Sequence, residues 1–152
     1  MSVTALHVAN YFLSQTDEEA GDLISNLKLQ KLVYYAQGFH VAMFEKTALF
    51  PDQIEAWTHG PVVDSLYHEF KTFGAGPIPR PVDFDSEIFS TEQRELLDEV
   101  YKVYGQFSAW KLRNLTHEEP PYQEGLKSLG RIISLDSLYR YFSTQLVGLE
   151  EA

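Results

Sequence analysis

The sequence predicts a mainly α-helical protein: a compact single domain built round one central buried helix, with one small β-hairpin. Three observations carry this. Apolar residues recur at helical spacing in successive segments. One of those segments, 26–44, is apolar on several sides, the mark of a helix with others packed around it. The chain has 152 residues, 44% apolar and 14% aromatic, enough for one core that buries roughly 70% of the unfolded surface.

Each element follows from local signals. In 4–15, Ala5, Val8, Ala9 and Phe12 form a stripe that Thr4 is placed to cap. Asp17, Glu18, Glu19 and Asp22 then make an uncompensated acidic turn closing on Gly21, read as a solvated loop. Ser25 caps the strongest helix, with Leu29, Leu32, Val33, Ala36, His40 and Met43 on one face and Tyr34, Tyr35 and Phe39 widening it. Pro51-Asp52 is a turn signal, and its flanks 47–50 and 54–58 are expected to pair as the hairpin. Gly60-Pro61 reads as a helix start with Pro61 at the first position, followed by Val62, Val63, Leu66, Tyr67 and Phe70 at helical period and a stop at Gly74. The glycines and prolines of 74–86 demand an extended surface loop. Ser90-Thr91-Glu92-Gln93 is a capping box for a helix with Leu96, Leu97, Val100, Val103 and Tyr104 inward. Ser108 caps a helix through Leu112 and Leu115, which Pro120-Pro121 ends. Ser134 opens the last helix, about 135–147, with Leu135, Leu138, Tyr139, Phe142 and Leu146 inward.

Composition excludes whole classes of function. Lys+Arg 12 against Asp+Glu 22 gives −10, which opposes a general phosphate-binding surface, so no nucleic-acid partner is expected. The absence of cysteine removes disulfides, Cys-zinc sites and thiol nucleophiles. No apolar run reaches the length of a membrane span, and the N-terminus lacks the pattern of a signal peptide, so a cytoplasmic protein without membrane contact is expected. There is no phosphate loop and no nucleophile elbow, and no cofactor is expected. Asp64 and His68 lie four apart on one helical face, and with His117 and Glu118 they define an alternative, a metal-assisted hydrolase. No two histidines share a ligand spacing, so the competing reading has His59 and His117 bonding loops, His40 at the core edge and His7 at the surface.

Trp57-Thr58-His59-Gly60-Pro61-Val62-Val63 is the least generic stretch. Its architectural reading gives Trp57 to packing, Gly60 to a tight corner and Pro61 to the helix start. Its functional reading presents Trp57, His59 and Tyr67 to a partner, as interface anchors. Lys28 and Lys31 read as solvent-facing side chains whose stems lie on apolar neighbours. The run from Asp83 to Glu99 holds seven acids and one Arg, a negative rim that either steers a partner or keeps the domain soluble.

Leu27-Lys28-Leu29-Gln30-Lys31-Leu32-Val33-Tyr34-Tyr35-Ala36-Gln37-Gly38-Phe39-His40 resembles the signature helix of the Panacea domain family. Leu49-Phe50, Ile54-Glu55-Ala56-Trp57, His59-Gly60-Pro61-Val62-Val63, Leu66-Tyr67 and Phe70 match its next block in order, and Leu112 through Leu115-Thr116-His117-Glu118 with Pro120-Pro121 looks like its C-terminal signature. The resemblance covers about 4–122, with the domain taken as 1–152. Tyr122 stands where the family usually has Trp, and the acidic Glu150-Glu151 is a second departure. The resemblance implies a bacterial or prophage antitoxin, similar to the SocA-like group, that neutralises a toxin by direct contact. It also implies, as one style of action, an adaptor that presents the toxin to a AAA+ protease. An interaction protein acting on host machinery is the other non-enzymatic reading. The −10 charge fits a basic toxin. Lys31, Tyr35, Trp57, His59, Gly60, Pro61 and Tyr67 are the candidate partner-binding residues. Leu29, Gln30, Leu32, Tyr34, His117 and Glu118 belong to the signature without an assigned role.

Overall fold

One helix, α2 (Asn26–Met43), is the axis on which the other elements assemble. The computed structural model describes residues 2–17 and 23–147. Among these, the chain runs α1 (Ala5–Ser14), α2, the strands β1 (Ile54–Trp57) and β2 (Gly60–Val63), and α3 (Asp64–Phe70). It continues through α4 (Thr91–Tyr104), α5 (Ala109–His117), α6 (Pro120–Lys127), β3 (Ile132–Ile133) and α7 (Leu135–Phe142). The fold is mainly helical with a small antiparallel sheet of order β2-β1-β3. The acidic turn at 18–22 and Glu150-Glu151 lie outside the described residues.

Every residue of 28–41 is buried, because α1, α4, α5, α7 and β2 surround α2. Leu29, Leu32, Val33, Ala36 and Phe39 join Phe12, Leu97, Leu112 and Phe142 in one apolar core. Gly38 permits the closest of these approaches: a Cβ there would lie 2.2 Å from the Phe142 ring. Helix starts follow the expected chemistry, with the side chains of Thr4, Ser25, Ser90, Ser108 and Ser134 each accepting a backbone N–H of the first turn. The box at Ser90–Gln93 is reciprocal. His7 is only partly exposed, since its Nδ1 accepts the Thr4 N–H at 3.0 Å and completes a second box. The 74–85 segment is non-helical, with a 3-10 turn opening at Ser86, and Ile78 anchors it by donating its N–H to the Ile24 carbonyl at 2.9 Å.

Four expectations are corrected. The hairpin joins β1 to β2, with Trp57 opposite Gly60 and Ile54 opposite Val63. Segment 47–50 stays out of the sheet because Gln37 captures its backbone: Oε1 accepts from Leu49 N (2.7 Å) and Phe50 N (3.4 Å), while Nε2 donates to Phe50 O (2.9 Å). Gly60-Pro61 therefore opens a strand, and the helix begins at Asp64. Strand β2 is an edge strand, where a proline is tolerated. Pro120-Pro121 opens α6, occupying first-turn positions whose N–H groups have no intrahelical acceptor. In α7, Leu138 and Phe142 are buried but Leu135 and Tyr139 are exposed, and the helix ends at Phe142.

Candidate functional site: a clamped hairpin corner

The polar residues of α2 face inward and hold backbone. Lys28 and Lys31 are buried, not solvated, which overturns the expectation for both. Lys28 Nζ donates to the Gly105 carbonyl at 2.6 Å and Lys31 Nζ to the Pro61 carbonyl at 3.1 Å. Gln30 Oε1 accepts the Val63 N–H at 2.9 Å while its amide donates to Asn26 Oδ1 at 3.0 Å. Lys31 holds Pro61 and Gln30 holds Val63, so α2 clamps that strand near both ends. Burial, reinforced by the Arg113 guanidinium, pulls the Lys31 ammonium down to about 7. Gly60 is required here twice over. Its φ is +111°, and a Cβ would meet Lys31 Cε at 2.7 Å and Thr116 Oγ1 at 2.9 Å.

Tyr34, Tyr35 and Lys31 are fully buried, and Gly60 and Pro61 are buried behind the corner they shape. Leu29 and Leu32 are core residues. The hydroxyls of Tyr34 and Tyr35 each donate to Glu119 at 2.8 Å, one to each carboxylate oxygen. The Tyr104 ring stacks on Tyr35 at 3.9 Å. Desolvation pushes Glu119 up to about 7 despite the tyrosine donors. Burial together with the nearby carboxylate raises Tyr34, Tyr35 and Tyr141 above the usual phenol range and Tyr104 to about 12. Glu118, which the sequence singles out, is exposed; its neighbour makes the contacts.

The outer side of the hairpin is held as firmly. His117 turns its ring nitrogens to the carbonyls of Arg113 (2.7 Å) and Thr58 (3.0 Å). The Tyr122 hydroxyl donates to the Trp57 carbonyl and so ties α6 to β1. With both nitrogens of His117 engaged and Asp64 paired to His68 at 3.3 Å on the exposed face of α3, the four residues of the hydrolase alternative form two separate pairs. Among the described residues, no three His, Asp or Glu side chains are grouped to hold a metal. Asp64, His68, His117 and Glu118 therefore do not form one metal site.

What the clamp presents is a groove of about 590 Å³. Buried Gln30, Ala56 and Val62 form its floor, and Trp57 and Tyr67 line it edge to face, ring centres 5.1 Å apart. The indole N–H of Trp57 donates to Glu55 at 2.9 Å, which fixes the ring. Exposed His59, Lys71 and Arg131 complete the lining. His59 Nδ1 accepts from Arg113 Nε at 3.1 Å, and that guanidinium lies 4.4 Å from the centre of the Trp110 ring, itself 57% exposed. Trp57, His59 and Tyr67 thus sit together at the surface as the sequence proposed, while Trp110, Arg113, Lys71 and Arg131 join them from elements whose sequence carries no local signal for it.

The acidic run divides. Asp83, Asp85 and Glu87 are exposed, Asp85 accepts the Glu87 N–H at 2.9 Å, and Glu87 lies 3.6 Å from Arg94. Asp98 accepts the Tyr11 hydroxyl at 2.6 Å and so ties α4 to α1. Among the described residues no helix is long and apolar enough to cross a membrane.

No curated protein and no solved structure matches this chain. A family model described as "Antitoxin SocA-like, Panacea domain" matches residues 29–123. That span holds nearly all of the clamp on α2, the whole hairpin, Glu119, and most of the groove's lining. The chain belongs to the SocA-like Panacea domain family, and its matched region is a Panacea domain.

Proposed function

We propose that this protein is an antitoxin that neutralises a toxin by direct protein–protein contact in the cytoplasm, and that the clamped corner is its contact surface. The carrying observation is the continuous exposed face made by the groove, His59 and the Trp110–Arg113 stack. Aromatic and arginine side chains are the usual anchors of protein interfaces. Their backing is rigid, since each strand of the hairpin is held by side chains from α2, α5 or α6. A surface pre-organised in this way loses little conformational entropy on binding.

The test is co-expression with the gene encoded next door. Growth arrest by that gene alone, relieved by this protein, supports the proposal; no rescue of a toxic neighbour, or a harmless neighbour, refutes it. Masking and delivery to a AAA+ protease then separate on toxin lifetime. Masking leaves the toxin stable in the rescued cell, whereas delivery shortens its half-life and fails in a strain lacking the protease. Recovery of a host protease or polymerase in pull-downs, with nothing encoded nearby, would instead favour an interaction protein that acts on host machinery.

A further inference from the structure

The groove has the opposite electrostatic character to the chain that carries it. The protein has a formal charge of −10, yet among the described residues none that lines the groove is acidic. The charged side chains among those described lining residues are the cations Lys71 and Arg131, both exposed. Among the described residues neither is in an ion pair. Arg113, beside the groove, bonds His59 and Asn114 and stacks on Trp110, and among the described residues it makes no ion pair. Glu55, the acid adjacent in sequence to the groove's strand residues, is held by the Trp57 indole. The same groove holds an apolar slot lined by Ala56, Val62, Trp57 and Tyr67.

We infer that the groove receives a short acidic peptide segment of the partner, with one apolar or aromatic side chain in the Trp57–Tyr67 slot and carboxylates against Lys71 and Arg131. This rests on the antitoxin reading above and specifies the chemistry of what the same surface grips. The volume suits a few side chains, within the size range of pockets that enclose a compact ligand. An extended phosphate backbone is disfavoured, because the remaining surface would repel it along most of its length. A partner that is basic overall remains compatible with the rim at Asp83, Asp85 and Glu87, since only the inserted segment needs to be acidic.

The experiment pans a random-peptide display library on the full-length protein, then measures the enriched peptides, synthesised with a fluorophore, by anisotropy. The proteins compared are wild type, Lys71→Glu/Arg131→Glu and Lys71→Gln/Arg131→Gln. The expected result is enrichment of Asp and Glu flanking an aromatic or large aliphatic residue. Binding should weaken roughly tenfold or more on charge reversal, less on neutralisation, and fall with added salt. Both positions are exposed, so thermal unfolding of the variants should match wild type, and that match is checked first. No enrichment, enrichment of neutral or basic peptides, or equal binding to the reversed variant overturns the inference. The growth assay keeps the two proposals apart. If wild type fails to rescue, the antitoxin reading falls whatever the peptides do. If the reversed variant rescues as well as wild type, only the acidic-segment inference falls.

Discussion

Glu119 should make the folded chain less stable as pH rises from about 4.5 to about 7. In the fold its carboxyl is buried and holds its proton up to about 7, whereas in the unfolded chain it releases it near 4.5. The folded state therefore binds more protons across that window. The stabilising contribution is full below about 4.5 and is lost as pH rises through about 7. The interval corresponds to about 3 kcal/mol, a large share of the stability of a domain of this size. The assay is urea unfolding of wild type, Glu119→Gln and Glu119→Ala at pH values from 4.5 to 8. The Gln variant keeps the shape and hydrogen-bonding capacity without the titration, so its stability relative to wild type should improve by about 3 kcal/mol between the acid and neutral ends. The Ala variant strands the two buried hydroxyls of Tyr34 and Tyr35 and should be roughly 2–5 kcal/mol less stable at acid pH, where wild type is protonated. Wild-type and Gln curves that run parallel from pH 4.5 to 8 would refute the reasoning, because the carboxyl would then titrate alike in both states.

Lys31 acts on the other side of neutrality: its ammonium is held near 7 in the fold against an ordinary value of 10.5, so wild-type stability should climb between those limits. Lys31→Met should be most favourable relative to wild type at pH 6 and lose that advantage towards pH 10, read by thermal unfolding; a pH-independent difference would show that the amine is not buried as a charge. Gly38→Ala should destabilise by at least about 1–3 kcal/mol, because its Cβ would enter the Phe142 ring, and a wild-type denaturation midpoint would place α7 wrongly. Leu32→Ala should cost roughly 2–5 kcal/mol in the same assay through the cavity it leaves beside fully buried neighbours. His59→Ala with Tyr67→Ala should leave unfolding unchanged and abolish toxin neutralisation; equal loss of both would return the corner to architecture.

Much of the helical framework was legible because its signals are local. The caps at Thr4, Ser25, Ser90, Ser108 and Ser134 lie beside the turns they serve, and apolar spacing marks the core faces of α1, α2 and α4 without reference to any other element. The resemblance, carried by residues of α2, the hairpin and the end of α5, agreed with the family that matches 29–123. Trp57, His59 and Tyr67 could be singled out because they stand close together in the chain.

The roles of the polar signature residues could not be read that way. Lys31 looks like any lysine on a helix until β2 arrives to cover it and offer the Pro61 carbonyl. Glu118 and Glu119 are indistinguishable as neighbours before Pro120, and only packing against α2 decides that the second one meets the hydroxyls of Tyr34 and Tyr35. Gln37 took 47–50 out of the hairpin, and β3 arrived from far along the chain to complete the sheet. The cationic lining of the groove likewise depends on Lys71, Arg131 and Trp57 converging from separate elements. By itself the sequence determined where helices start and which faces are apolar, since backbone caps and side-chain periodicity act over a few residues. Only the tertiary structure decided which polar groups lose water, because desolvation and hydrogen bonding depend on neighbours that the chain supplies from tens of residues away.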